Sequence, residues 1–126
     1  MIVLTGQAFD PGALLSDFCQ ERTETGAIAT FTGLARAEQG DTTTLELEAY
    51  LGFTEAAIGK IADEALTRFE LHDFHIVHRV GKITPGEAIV FVATAASHRR
   101  AAFEACDFLM DYLKSRAPFW KKETGP

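Results

Sequence analysis

Residues 74–96 read FHIVHRVGKITPGEAIVFVATAA. Phe74, Ile76, His78 and Val80 alternate with His75, Val77 and Arg79, which is the two-residue period of a strand. Pro85-Gly86 turns the chain into Ala88–Ala96, an apolar run of strand length. The pair reads as a hairpin at the centre of a sheet. Just beyond it, Ser97 is placed to cap a helix whose core side is Ala101, Ala102, Phe103, Cys106, Leu109, Met110 and Leu113. Before it, Thr54 is placed to cap a helix in which Ala57, Ile58, Ile61, Ala62, Ala65, Leu66 and Phe69 form one apolar stripe. Further out, Gly26–Leu34 and Thr43–Tyr50 read as strands, the second with one wet face. The polar segment Ala35–Thr42 joins them as a loop with Arg36 at its base. Asp10-Pro11 is an N-cap followed by proline at the first helical position, and the helix it starts runs to about Arg22. Strand pairs interrupted by three helices predict an α+β fold with a largely antiparallel sheet.

The 126 residues suit a single domain, 1–126, and 47% apolar content with ten phenylalanines fills a core without disulfide or metal staples. A net charge of −6 argues against nucleic acid and anionic lipid as partners. No apolar run approaches the roughly 18 residues of a membrane span, and Met1–Thr5 lacks the basic and apolar regions of a signal peptide. The expected location is the cytoplasm, away from any membrane. Cys19 and Cys106 both lie among apolar residues at helical spacing and read as small buried hydrophobes.

Against the acidic background, concentrations of cationic side chains stand out. His72, His75 and His78 have a spacing that would suit a metal on a helix, but on a strand residues three apart face opposite ways, so no metal site is predicted. Ser97-His98-Arg99-Arg100 sits where a buried strand ends and a helix begins. Free backbone N–H groups there favour an anion, and His98 and Arg99 add directed donors, whereas Arg100 reads as solvated. Near the C-terminus Lys114, Lys121 and Lys122 flank Pro118-Phe119-Trp120. The two aromatic residues need burial, so this tail is expected to dock and leave Lys121 partly desolvated, able to act as an acid or base.

Taken in order, Gly26-Ala27, Phe31-Thr32-Gly33, Arg36, Leu47-Glu48-Ala49-Tyr50, His78-Arg79-Val80-Gly81, Ser97-His98-Arg99, Leu113-Lys114 and Ala117-Pro118-Phe119-Trp120-Lys121-Lys122-Glu123 closely resemble the MoaE family, the large subunit of molybdopterin synthase. The resemblance implies an α/β hammerhead fold and a sulfurtransferase of molybdenum cofactor biosynthesis. It further implies a small MoaD-like partner whose C-terminal thiocarboxylate enters the large subunit and delivers sulfur to cyclic pyranopterin monophosphate, forming a dithiolene. A homodimer of large subunits at the centre of a heterotetramer is implied as well. By position, Lys114 and Lys121 match the catalytic lysines, and Arg36, His98 and Arg99 match residues that hold the pterin and its phosphate. Lys122 and Glu123 fall in the substrate-contacting stretch, and no metal or redox cofactor is implied.

A geometric expectation follows. If residues 98–114 form one helix, Arg99 and Lys114 lie about 22 Å apart along its axis. One small pocket cannot span that distance, so His98 and Arg99 of one subunit are expected to complete the pocket built by Lys114 and Lys121 of another. Two other readings compete with the enzyme: a silent module that captures a phosphorylated small molecule through Arg36, His98 and Arg99, and a structural interaction protein. Neither needs the Lys114 and Lys121 pair.

Overall fold

The computed structural model describes residues 1–37 and 44–121. In chain order its elements are β1 (Ile2–Thr5), α1 (Pro11–Cys19), β2 (Ala27–Leu34), β3 (Leu45–Ala49), α2 (Phe53–Arg68), β4 (Asp73–Arg79), β5 (Gly81–Ile83), β6 (Ala88–Ala96), α3 (Arg99–Ser115) and β7 (Phe119–Lys121). Two sheets result, a larger one in the order β1-β4-β6-β2 and a smaller one in the order β5-β3-β7. Three helices with antiparallel pairs in both sheets make the fold α+β, as the sequence predicts.

β6 lies between β2 and β4 and is antiparallel to both, with Val92 opposite Phe31 on one side and Ile76 on the other. Its side chains alternate between two covered faces. Val90 and Val92 join Ile58, Ala62, Ala105 and Leu109 under α2 and α3, while Phe91, Ala93 and Ala95 pack with Phe18 beneath α1. A strand covered on both faces has no polar alternation to show, hence the unbroken apolar run. The small sheet closes over its own cluster of Ala35, Leu47 and Ile83.

Several expectations need correction. β1 was not anticipated; it pairs parallel to β4, with Ile2 opposite Ile76, so the larger sheet is mixed. Four residues give too short a segment for alternation to register. β4 and β6 do pair, but their connection is no simple turn: Gly81, at φ 81°, redirects the chain so that Gly81–Ile83 enters the other sheet as β5. A positive φ of that size suits glycine. Thr54 does not cap α2. Gly52 holds that position, and Thr54, the second residue of the helix, is fully buried and donates its hydroxyl to the Pro118 carbonyl at 3.1 Å. Ser97 likewise gives way to His98 as the N-cap of α3. Phe103 is 65% exposed, because the buried stripe of α3 runs through Ala102, Ala105, Cys106, Leu109, Tyr112 and Leu113, about 100° around the helix from it. Cys19 is exposed at the end of α1, which stops short of Arg22; only Cys106 is buried. Arg22 instead folds back to the Phe18 carbonyl and to Asp73 Oδ2 at 2.7 Å. Among the described residues no helix is long and apolar enough to cross a membrane.

Candidate functional site

The two ends of α3 carry the cationic residues. At its start, His98 is the N-cap without making a side-chain capping bond, Arg99 and Arg100 occupy the first turn, and that turn holds no acid. Cations at the positive end of a helix dipole are unfavourable unless an anion balances them. A cavity of about 780 Å³ opens there, lined by Gly26, Ser97, His98, Arg99 and Phe103 among others. Its wall is fixed from two directions. Gly26 donates its N–H to the Ala96 carbonyl at 3.0 Å, and a Cβ at Gly26 would lie 2.1 Å from the Ser97 carbonyl oxygen. His72 bridges the Thr25 hydroxyl at 2.9 Å and the Ser97 hydroxyl at 3.1 Å, one from each ring nitrogen.

At the far end of α3, Lys114 lines a cavity of about 540 Å³ together with Arg36 and His78. Phe31, Met110 and Leu113 contribute apolar walls. An adjoining cavity of about 470 Å³ shares Phe31, Met110 and Lys114 with it and Phe103 with the cavity at the helix start. Phe103 therefore stands between the two ends. The helix is continuous over 17 residues, so the separation of Arg99 from Lys114 expected from the sequence holds within one chain.

The tail docks, but not by burying both aromatic rings. β7 adds to β3 as a strand, with Ala49 opposite Phe119, Glu48 opposite Trp120 and Leu47 opposite Lys121. Phe119 stacks flat on His78, ring centroids 4.0 Å apart and planes 15° apart. Trp120 remains at the surface, held by Tyr50 at 4.9 Å and by a hydrogen bond from Nε1 to Glu48 Oε2 at 2.9 Å. Lys121 is exposed and lines none of the three cavities, so the expected desolvation is not found in the single chain. A backbone strand carries it. Lys122 and Glu123 lie outside the described residues.

The structure thus groups Arg36 with Lys114, places His98 and Arg99 together elsewhere, and sets Lys121 apart from both groups. It also adds a residue, His78, to which the sequence analysis gave no place among the site residues. His78 is 7% exposed, and its Nδ1 lies 2.8 Å from the Arg79 carbonyl oxygen. A carbonyl can only accept, so Nδ1 bears the proton and Nε2 has a free lone pair. Burial is the main reason its pKa falls below the ordinary 6.5, an effect that the Arg79 carbonyl partly opposes. His75 faces the other side of the sheet, between Phe18 and Phe91, and His72 is committed to Thr25 and Ser97. The three histidines do not converge.

Cationic side chains line cavities at both ends of one helix, which places the chain in a class of α+β domains with two cationic cavities. Within that class, the MoaE protein family model matches residues 4–116, and the chain belongs to that family. It is 73% identical over all its 126 residues to a Caulobacter vibrioides protein, 84% of which is covered, named molybdopterin synthase catalytic subunit. Its structure is similar to that of the molybdopterin biosynthesis MoaE protein from Burkholderia ambifaria, at 47% identity and a TM-score of 0.90, covering all of this chain and 84% of that one. A molybdopterin synthase structure from Staphylococcus aureus aligns with a TM-score of 0.83 at 28% identity, covering 99% of this chain and 90% of that one.

Proposed function

We propose that this chain is the catalytic large subunit of molybdopterin synthase, a sulfurtransferase that moves sulfur from the C-terminal thiocarboxylate of a small MoaD-like partner to cyclic pyranopterin monophosphate. The observation that carries the reading is the common cavity of Arg36 and Lys114, an open pocket with two cations and apolar walls. A thiocarboxylate and a cyclic phosphate are both anions. Arginine binds phosphate through directed, charge-assisted hydrogen bonds, and lysine can stabilise developing charge and move protons. In this reading Lys114 and Lys121 are the catalytic pair; Arg36, His98 and Arg99 hold the pterin and its phosphate, and Lys122 and Glu123 contact substrate. The reaction uses no metal or redox cofactor.

The length of α3 supports a site shared between two copies in a homodimer, itself the centre of a heterotetramer. Phe103 and Phe31 are exposed beside the cavities, as surfaces awaiting a partner would be. Two experiments test these statements. The purified chain, supplied with thiocarboxylated partner and cyclic pyranopterin monophosphate, is expected to yield the dithiolene; no product from verified substrates would remove the enzyme and leave a phosphate-binding module. Mixing Arg99→Ala and Lys114→Ala chains is expected to restore activity above either parent. Hybrid dimers without such recovery would rule out the shared site.

A further inference from the structure

We infer that His78 is a substrate-binding residue, its Nε2 accepting a hydrogen bond from an N–H or O–H of the heterocyclic substrate held between Arg36 and Lys114. This rests on the proposed function and adds to it a neutral recognition element. Four observations converge on the assignment. His78 lines the same cavity as Arg36 and Lys114. Its Nδ1–H is spent on the Arg79 carbonyl, which fixes the tautomer and leaves Nε2 as an acceptor. Among the described residues Nε2 has no hydrogen-bond partner, yet it is not sealed off, unlike His75 Nε2, which is fully enclosed and unpaired. The ring is also held rigid, stacked on Phe119 at 4.0 Å.

An acceptor that faces the cavity with no protein partner is open to a donor from a ligand. Among the described residues, the fully charged groups lining this cavity are Arg36 and Lys114. Those cations suit the anionic parts of a substrate but cannot accept a hydrogen bond. His78 Nε2 supplies what they lack, an acceptor for the ring N–H or hydroxyl groups of a heterocycle. Burial favours the neutral imidazole on which this role depends.

The tests are a substitution and a titration. His78→Phe keeps an aromatic ring against Phe119 and removes the acceptor, whereas His78→Gln restores an acceptor oxygen. With wild-type activity established in the same assay, His78→Phe is expected to raise KM for cyclic pyranopterin monophosphate about 10- to 100-fold, with KM for the thiocarboxylated partner unchanged, and His78→Gln to recover part of the loss. A His78→Phe chain whose KM for both substrates stays within twofold of wild type would overturn the inference. Inactive wild-type protein would instead overturn the functional reading on which it rests. A readout independent of activity and of variant folding is the ¹⁵N spectrum of the histidine rings in the wild-type chain. The His78 Nε2 signal is expected to move on saturation with cyclic pyranopterin monophosphate alone, and a stationary signal would exclude the contact.

Discussion

Cys106 and Cys19 occupy opposite settings. Burial, with Asp107 beside it, pushes the Cys106 thiol up to about 11, whereas Cys19 is exposed. An alkylating reagent reacts with thiolate, so at pH 8 the native chain is expected to take up one label, at Cys19, and the unfolded chain two. Mass spectrometry of native and denatured samples distinguishes these outcomes. In the candidate site, Lys114→Ala is expected to lower kcat by about 10²- to 10⁴-fold, the usual contribution of a positioned proton-transfer group. Arg36→Ala should act mainly on KM for the phosphate-bearing substrate, a split that steady-state kinetics resolves. His75 and His78 add a pH dependence. Burial lowers both, helped at His75 by the N-terminal ammonium and opposed there by Asp73. The folded chain therefore binds fewer protons than the unfolded chain just below pH 6.5, and stability falls as pH drops through that region toward the lowered values. Urea midpoints measured between pH 7.5 and 5 should decline, and His78→Phe should flatten the decline.

Element boundaries depend on single contacts as much as on periodicity. Gly26 is where β2 meets the start of α3, and any side chain there collides with the backbone of Ser97. Gly26→Ala is expected to destabilise the chain by about 1–3 kcal/mol, the range for overpacking, and, under the role proposed for His98 and Arg99, to weaken phosphate binding in the same variant. Calorimetry with and without inorganic phosphate would register both effects. Asp10 is a conventional cap, accepting from the Gly12 N–H at 2.9 Å, and Asp10-Pro11 is an equally plain signal. That helix, the central strands and the stripe of α2 were legible because local chemistry and burial agree there. Thr54 and Ser97 were misassigned because each looks like a cap and is used instead for a distant contact, with Pro118 and His72 respectively. β1 and β5 are three or four residues long, and their partners lie in other parts of the chain, so no local pattern marks them. The cationic residues were visible one by one. Which of them share a cavity depends on the register of β2 against β6 and on the length of α3, and His78 emerged as a cavity residue only once β4 had its place.

For the whole molecule, the exposed ring of Phe103 between the cavities predicts self-association. Phe103→Asp should lower the apparent mass by light scattering toward one chain and reduce activity with it, since the shared site proposed above would need both copies. Arg79 ties the two sheets together. It is 3% exposed, donates to the Lys82 carbonyl at 2.9 Å and lies 3.7 Å from Glu87 Oε1. Glu87→Ala would leave that guanidinium without its counter-charge and is expected to cost about 1–3 kcal/mol in urea unfolding, discounted because Glu87 is partly exposed. The smaller sheet carries a different consequence. Its three strands are short and come from distant parts of the sequence, and β7 is held by three residues of pairing with a few side-chain ties from Thr54, Glu48 and His78. Such a unit opens at a lower free energy than the four-stranded sheet beneath α2 and α3. Amide protons of Phe119–Lys121 should exchange with deuterium well before those of Val90–Ala95, and slow once a partner's tail lies beside them. The strand bearing Lys121 would then act as a latch that can release and re-engage while the rest of the protein stays folded.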